Sequence, residues 1–213
     1  MKNLGKVFII GDSYSTFQGV TPEDCLPYYR TDGTNDTDVD TVEKTWWHQL
    51  ITETGSTLLK NTSYSGSTVS FSGYEGDFYY GSAFTSRFDN HVNSRFFVNN
   101  APDTVIVFGG TNDSWAGSPI GELKYENWDK KNDFYEFAPS LTYLFHRIKT
   151  AFPDAYVVSV LNSGLKPEIN QVMEEACRHY GIKLIKLGEA DKENDHPTAK
   201  GMTQIKDMIL AEI

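Results

Sequence analysis

The chain has 213 residues, a formal net charge of −10 and an aromatic content of 14%. That length suits one domain, expected to span residues 1–213, with a core large enough to need no staples. The acidic balance disfavours nucleic acid and anionic membranes as partners, no apolar run nears the ~20 residues that cross a bilayer, and two cysteines, Cys25 and Cys177, make no disulfide framework.

The first apolar run, Val7-Phe8-Ile9-Ile10, reads as a buried strand that stops on Gly11-Asp12-Ser13-Tyr14-Ser15. Too few residues precede it for a signal peptide, so the cytoplasm is the expected compartment, with an exported mature form equally compatible. Residues 45–51 carry apolar side chains at helical spacing and stop near Gly55. A short second strand at 58–59 runs into Asn61-Thr62-Ser63-Tyr64-Ser65-Gly66. Residues 104–108, TVIVF, are the clearest strand and again end in glycines, Gly109-Gly110. The spacing then predicts a helix over 140–151, a strand over 156–161 and a helix over 167–180, opened by Pro167 and closed by Gly181. A fifth strand at 182–187 and a helix from Thr198 onward complete the pattern.

Strands alternating with helices imply a parallel sheet covered on both faces, an α/β fold. Three stretches, 14–41, 67–100 and 111–133, are too long and polar to be plain connectors. Each follows a strand, so each falls at the carboxyl edge of the sheet, where open α/β folds bind ligands.

Four segments would meet at that edge: Gly11-Asp12-Ser13, Asn61 through Gly66, Gly110-Thr111-Asn112-Asp113, and Asp195-His196-Pro197 just before the last helix. Taken singly, each has an ordinary explanation: a capping serine, a turn glycine, an Asx turn, a histidine at a helix start. Together they supply what acyl transfer needs, namely a nucleophile, a base and donors for an oxyanion.

In this order the four segments resemble the sequence blocks of the SGNH/GDSL hydrolases, over nearly the whole chain. The resemblance implies a three-layer flavodoxin-like fold of about five parallel strands, and ester hydrolysis through an acyl-serine. Carried across by position, it makes Ser13 the nucleophile and His196 the general base. The N–H groups of Ser13 and Gly66 and the Asn112 amide become the oxyanion hole, and Asp12 supports the first loop. The family usually has an aspartate three residues before the histidine; here that position is Glu193, within Asp191-Lys192-Glu193-Asn194-Asp195-His196. Glu193 is the favoured partner for the ring, with Asp191, Asp195 or a main-chain carbonyl as alternatives.

No G-x-S-x-G elbow, phosphate-binding loop or dinucleotide fingerprint is present, and the other histidines lack metal-ligand spacing, so neither cofactor nor metal is expected. The stretches between strands are rich in rings: Tyr28, Tyr29, Trp46, Trp47, Phe71, Tyr74, Phe78, Tyr79, Tyr80, Trp115, Tyr125 and Trp128, many beside Asn or Asp. Flat rings with neighbouring amides suit sugars, and Trp115 and Tyr74 are the expected substrate contacts. The expected activity is removal of small acyl groups, acetyl above all, from a carbohydrate ester. Transfer of the acyl group to another acceptor, or sugar binding without catalysis, are the alternatives.

Overall fold

The computed structural model describes residues 2–213 apart from 22, 26, 33, 35 and 79. Five strands form a parallel sheet: β1 (Lys6–Gly11), β2 (Thr57–Asn61), β3 (Thr104–Phe108), β4 (Tyr156–Leu161) and β5 (Lys183–Lys186). Their order across the sheet is β2-β1-β3-β4-β5. β1, β3 and β4 are central and covered on both faces, which is why each reads as an unbroken apolar run.

The alternation of side chains along a strand divides those runs between two cores. Phe8, Ile10, Val105, Val107 and Val157 face α2 (Phe84–Asn93), α4 (Phe137–Ala151) and α5 (Pro167–Tyr180). Val7, Ile9, Ile106, Phe108, Val158 and Val160 face α1 (Trp46–Thr54) and α6 (Ala199–Leu210). Trp46 and Trp47 are both buried in this second core, each such ring adding roughly 1.5–3 kcal/mol on burial. The result is helices on both faces of one sheet.

The structure departs from the sequence-based expectation in the loops. The stretch 67–100 contains α2, and 111–133 begins with α3 (Thr111–Ala116). α2 escapes a periodicity test because its sequence, FTSRFDNHVN, is mostly polar and buries an arginine beside its phenylalanines. α4 starts at Phe137, earlier than expected, because Pro139 lies in the first turn, where its missing N–H has no helical partner to lose. Cys25 and Cys177 are both buried and free. Among the described residues no helix is long and apolar enough to cross a membrane.

Beyond β5 the chain makes a small antiparallel hairpin, β6 (Lys192–Glu193) and β7 (His196–Pro197), before entering α6. That hairpin carries the histidine to the carboxyl edge of the sheet.

Candidate active site

The question set by the first strand, why it ends in a glycine and small polar residues, has a steric answer. A Cβ on Gly11 would lie 2.7 Å from Ser15 Oγ and 2.8 Å from Ser63 Oγ, so the crossing of the first two loops leaves no room for one. Asp12 then caps a single 3-10 turn, Ser13–Ser15, its Oδ1 accepting from Tyr14 N at 3.0 Å. Ser13 sits at the start of that turn with its hydroxyl turned to the edge of the sheet. Burial pushes the Asp12 carboxyl up to about 7.

Ser13 Oγ lies 2.9 Å from His196 Nε2. The ring's other nitrogen, Nδ1, is 3.0 Å from the main-chain oxygen of Asn194. A carbonyl can only accept, so Nδ1 carries the hydrogen and Nε2 presents its lone pair to the serine hydroxyl. The hairpin explains how a backbone atom reaches the ring. Glu193 and His196 are paired across it, and Asn194 and Asp195 form its two-residue turn with φ of +47° and +62°.

The expectation that Glu193 orients the histidine is therefore corrected, because the Asn194 carbonyl occupies that place. Asp191 does not reach the ring either; its carboxylate accepts from Thr198 Oγ1 at 2.5 Å and pairs with Lys200. Asp195 acts on His196 only through its charge. Burial pulls the imidazole below its ordinary pKa, and the Asn194 carbonyl, Asp195 and Asp36 oppose that shift.

Asn112 is the second residue of α3, which begins directly after Gly110, whose φ of +88° turns the chain out of β3. Its amide is oriented at both ends. Oδ1 accepts from Tyr74 Oη at 2.6 Å, and one Nδ2 hydrogen goes to Ser67 O at 3.0 Å. The amide nitrogen carries a second hydrogen besides the one given to Ser67 O. Ser67 follows Gly66, which adopts φ of +73° with open space where a Cβ would be. Asp113 ties the same two loops together, its carboxylate taking Val69 N at 2.8 Å, Ser70 N at 3.2 Å and Ser70 Oγ at 2.9 Å. Burial pushes it up to about 6.

Of the expected substrate contacts, Tyr74 serves the Asn112 amide. Trp115 is 41% exposed, its ring 6.3 Å from that of His196. Tyr79 lies outside the described residues. Tyr29 is buried and donates its hydroxyl to Pro197 O at 3.2 Å, while Phe71, Phe78, Tyr80 and Tyr135 pack on one another. Among the described residues no cluster of three or more His, Cys, Asp or Glu side chains could hold a metal ion.

Sequence reasoning missed Arg87. Its guanidinium is buried under the site and donates to Thr62 O, to Gly11 O at 3.0 Å and to Ser67 Oγ at 3.0 Å, while Nε reaches Ser82 O at 2.7 Å. One side chain thus joins the first strand end, the second strand end and the loop of Gly66. Burial lowers it to about 9. A lone arginine in a polar stretch gives no signal of this kind.

A family model described as GDSL-like lipase/acylhydrolase matches residues 5–213. The chain belongs to this family. Two solved structures described as GDSL-like lipases agree with it over almost their whole length. The one from Bacteroides ovatus is 40% identical, with 97% of each chain covered and a TM-score of 0.89. The one from Bacteroides uniformis is 42% identical, covering 98% of this chain and 95% of that one, with a TM-score of 0.90. A family two carbohydrate esterase from Clostridium thermocellum shares the fold at 16% identity and a TM-score of 0.67, covering all of this chain and 64% of that one. A search of the curated proteins gives no match. Membership of the GDSL-like family points to a hydrolase acting on esters, and the four segments gathered above are where such chemistry would take place.

Proposed function

We propose that the protein is a serine esterase that removes small acyl groups, acetyl above all, from a carbohydrate. The observation that carries the reading is the 2.9 Å contact between Ser13 Oγ and His196 Nε2, with the opposite ring nitrogen committed to a carbonyl acceptor. Ser13 Oγ attacks the ester carbonyl carbon as Nε2 takes its proton. The carbonyl oxygen becomes an oxyanion held by Ser13 N–H, Gly66 N–H and the second Nδ2 hydrogen of Asn112. The bond to the alkoxy oxygen then breaks, and the alcohol leaves with the proton from Nε2. Water repeats the sequence on the acyl-serine and releases the acid.

A sugar as the alcohol is supported by the half-exposed Trp115 beside the base, which offers an apolar face to a ring's C–H groups. It is supported also by fold neighbours described as a carbohydrate esterase and, from Butyrivibrio proteoclasticus, an acetyl xylan esterase. The partner would be a small or oligosaccharide ester. Incubation with acetylated oligosaccharides should release acetate faster than p-nitrophenyl palmitate is cleaved. Rapid cleavage of the long-chain ester with no acetate from the sugars would overturn the substrate assignment and leave the serine chemistry standing.

A further inference from the structure

A carboxylate on Nδ1 would do two things for a catalytic histidine: fix the ring's tautomer and orientation, and stabilise the imidazolium that forms. The Asn194 carbonyl does the first in part and the second weakly, because it is a neutral dipole on a turn. The structure shows what stands in addition. The Tyr28 ring lies flat on the His196 imidazole, with centroids 3.6 Å apart and planes 8° from parallel. Tyr14 donates its hydroxyl to Asp195 O at 2.6 Å, and Tyr29 donates to Pro197 O at 3.2 Å. The backbone on each side of the histidine is therefore held by a tyrosine, and the ring itself by a third.

We propose that Tyr28 is a positioning residue for the base: its face, stacked on His196, keeps Nε2 on Ser13 Oγ where no carboxylate holds Nδ1. The inference rests on the esterase reading for its kinetic consequence but not for its structural one. The stack acts at two stages. A flat neighbour at van der Waals distance prevents the imidazole from rotating off its hydrogen bond to Asn194 O. The electron-rich face also attracts the ring once it carries a positive charge, as an aromatic face attracts any cation above it. Both effects need an aromatic ring and neither needs the hydroxyl. That hydroxyl is buried without a hydrogen bond of standard geometry, and burial, then the nearby Asp36, push it up to about 12.

Tyr28→Phe and Tyr28→Leu separate the ring from mere bulk. With p-nitrophenyl acetate, Tyr28→Leu should lose about tenfold in kcat with KM little changed, and Tyr28→Phe should restore the wild-type rate within about twofold. The His196 tautomer, read by long-range proton–nitrogen correlation and assigned against His196→Asn, needs no substrate. Wild type and Tyr28→Phe should show the single Nδ1–H form, and Tyr28→Leu a mixture of the two. Tyr28→Leu with wild-type kcat and a single tautomer would overturn the proposal. So would a rise in KM alone, which would place Tyr28 in the substrate pocket. If wild type cleaves no ester, the esterase reading fails by itself, and the tautomer still decides whether the stack positions the ring.

Discussion

The two halves of the site rest on supports of different kinds. On the serine side, Ser13, Gly66 and Asn112 stand on loops joined by buried charged groups: Arg87 binds three segments at once, and Asp113 binds the second loop to α3. On the histidine side, His196 stands just past the two-residue turn of a short hairpin, held by tyrosine hydroxyls and a stacked ring, with no carboxylate bonded to it. On the proposed mechanism, the difference follows from what each half must do. Oxyanion donors work by being fixed before charge develops, so their loops gain from directional, fully satisfied networks. The base changes its own charge in each cycle of that mechanism, and burial favours the uncharged ring against the opposing charges of Asp195 and Asp36.

Five substitutions act on the two halves of the site to different degrees. His196→Gln removes the acceptor for the Ser13 proton and should cost about 10⁴ or more in kcat, read from steady-state hydrolysis of p-nitrophenyl acetate. Asn112→Ala should cost roughly 10²–10³ in kcat with KM nearly constant; unchanged turnover would take its amide out of the oxyanion hole. Arg87→Met leaves Gly11 O, Thr62 O and Ser67 Oγ without their donor. It should lower unfolding free energy by about 3 kcal/mol or more, measured as a shift in the urea midpoint. Tyr74→Phe frees one end of the Asn112 amide and should slow kcat by about fivefold, the worth of one hydrogen bond. Glu193→Gln should leave kcat within about twofold, because the carboxylate does not touch the ring; a large loss would restore Glu193 as its partner.

The pH profile tests the histidine side separately. His196 must be neutral to accept the proton, so activity falls as pH drops through its pKa. Burial lowers that pKa from the ordinary 6.5. The acid limb of kcat/KM should therefore lie below pH 6.5, with a plateau above it. A limb displaced above 6.5 would mean that a negative charge, not burial, dominates at the ring.

What the sequence disclosed follows the same division. The central strands were legible because residues buried on both faces leave continuous apolar runs, as in TVIVF. The meeting of Ser13 with His196, and of Asn112 with the loop of Gly66, was legible because the order of their segments resembles a known set of blocks. The partner of His196 was not, because a main-chain oxygen leaves no mark on the amino-acid alphabet; only the two-residue turn between Glu193 and His196 hints at it. Arg87 and Tyr28 were equally hidden. One lies in a helix too polar to show a period, and the other in a long loop where any of several rings could have met the base.

The proposed chemistry depends first on activation of Ser13 by His196. Intact-protein mass after exposure to a fluorophosphonate, on wild type and Ser13→Ala, tests it without a guess at the substrate. The account predicts one adduct on wild type and none on the variant. No adduct on wild type, or an adduct that survives in Ser13→Ala, would contradict it.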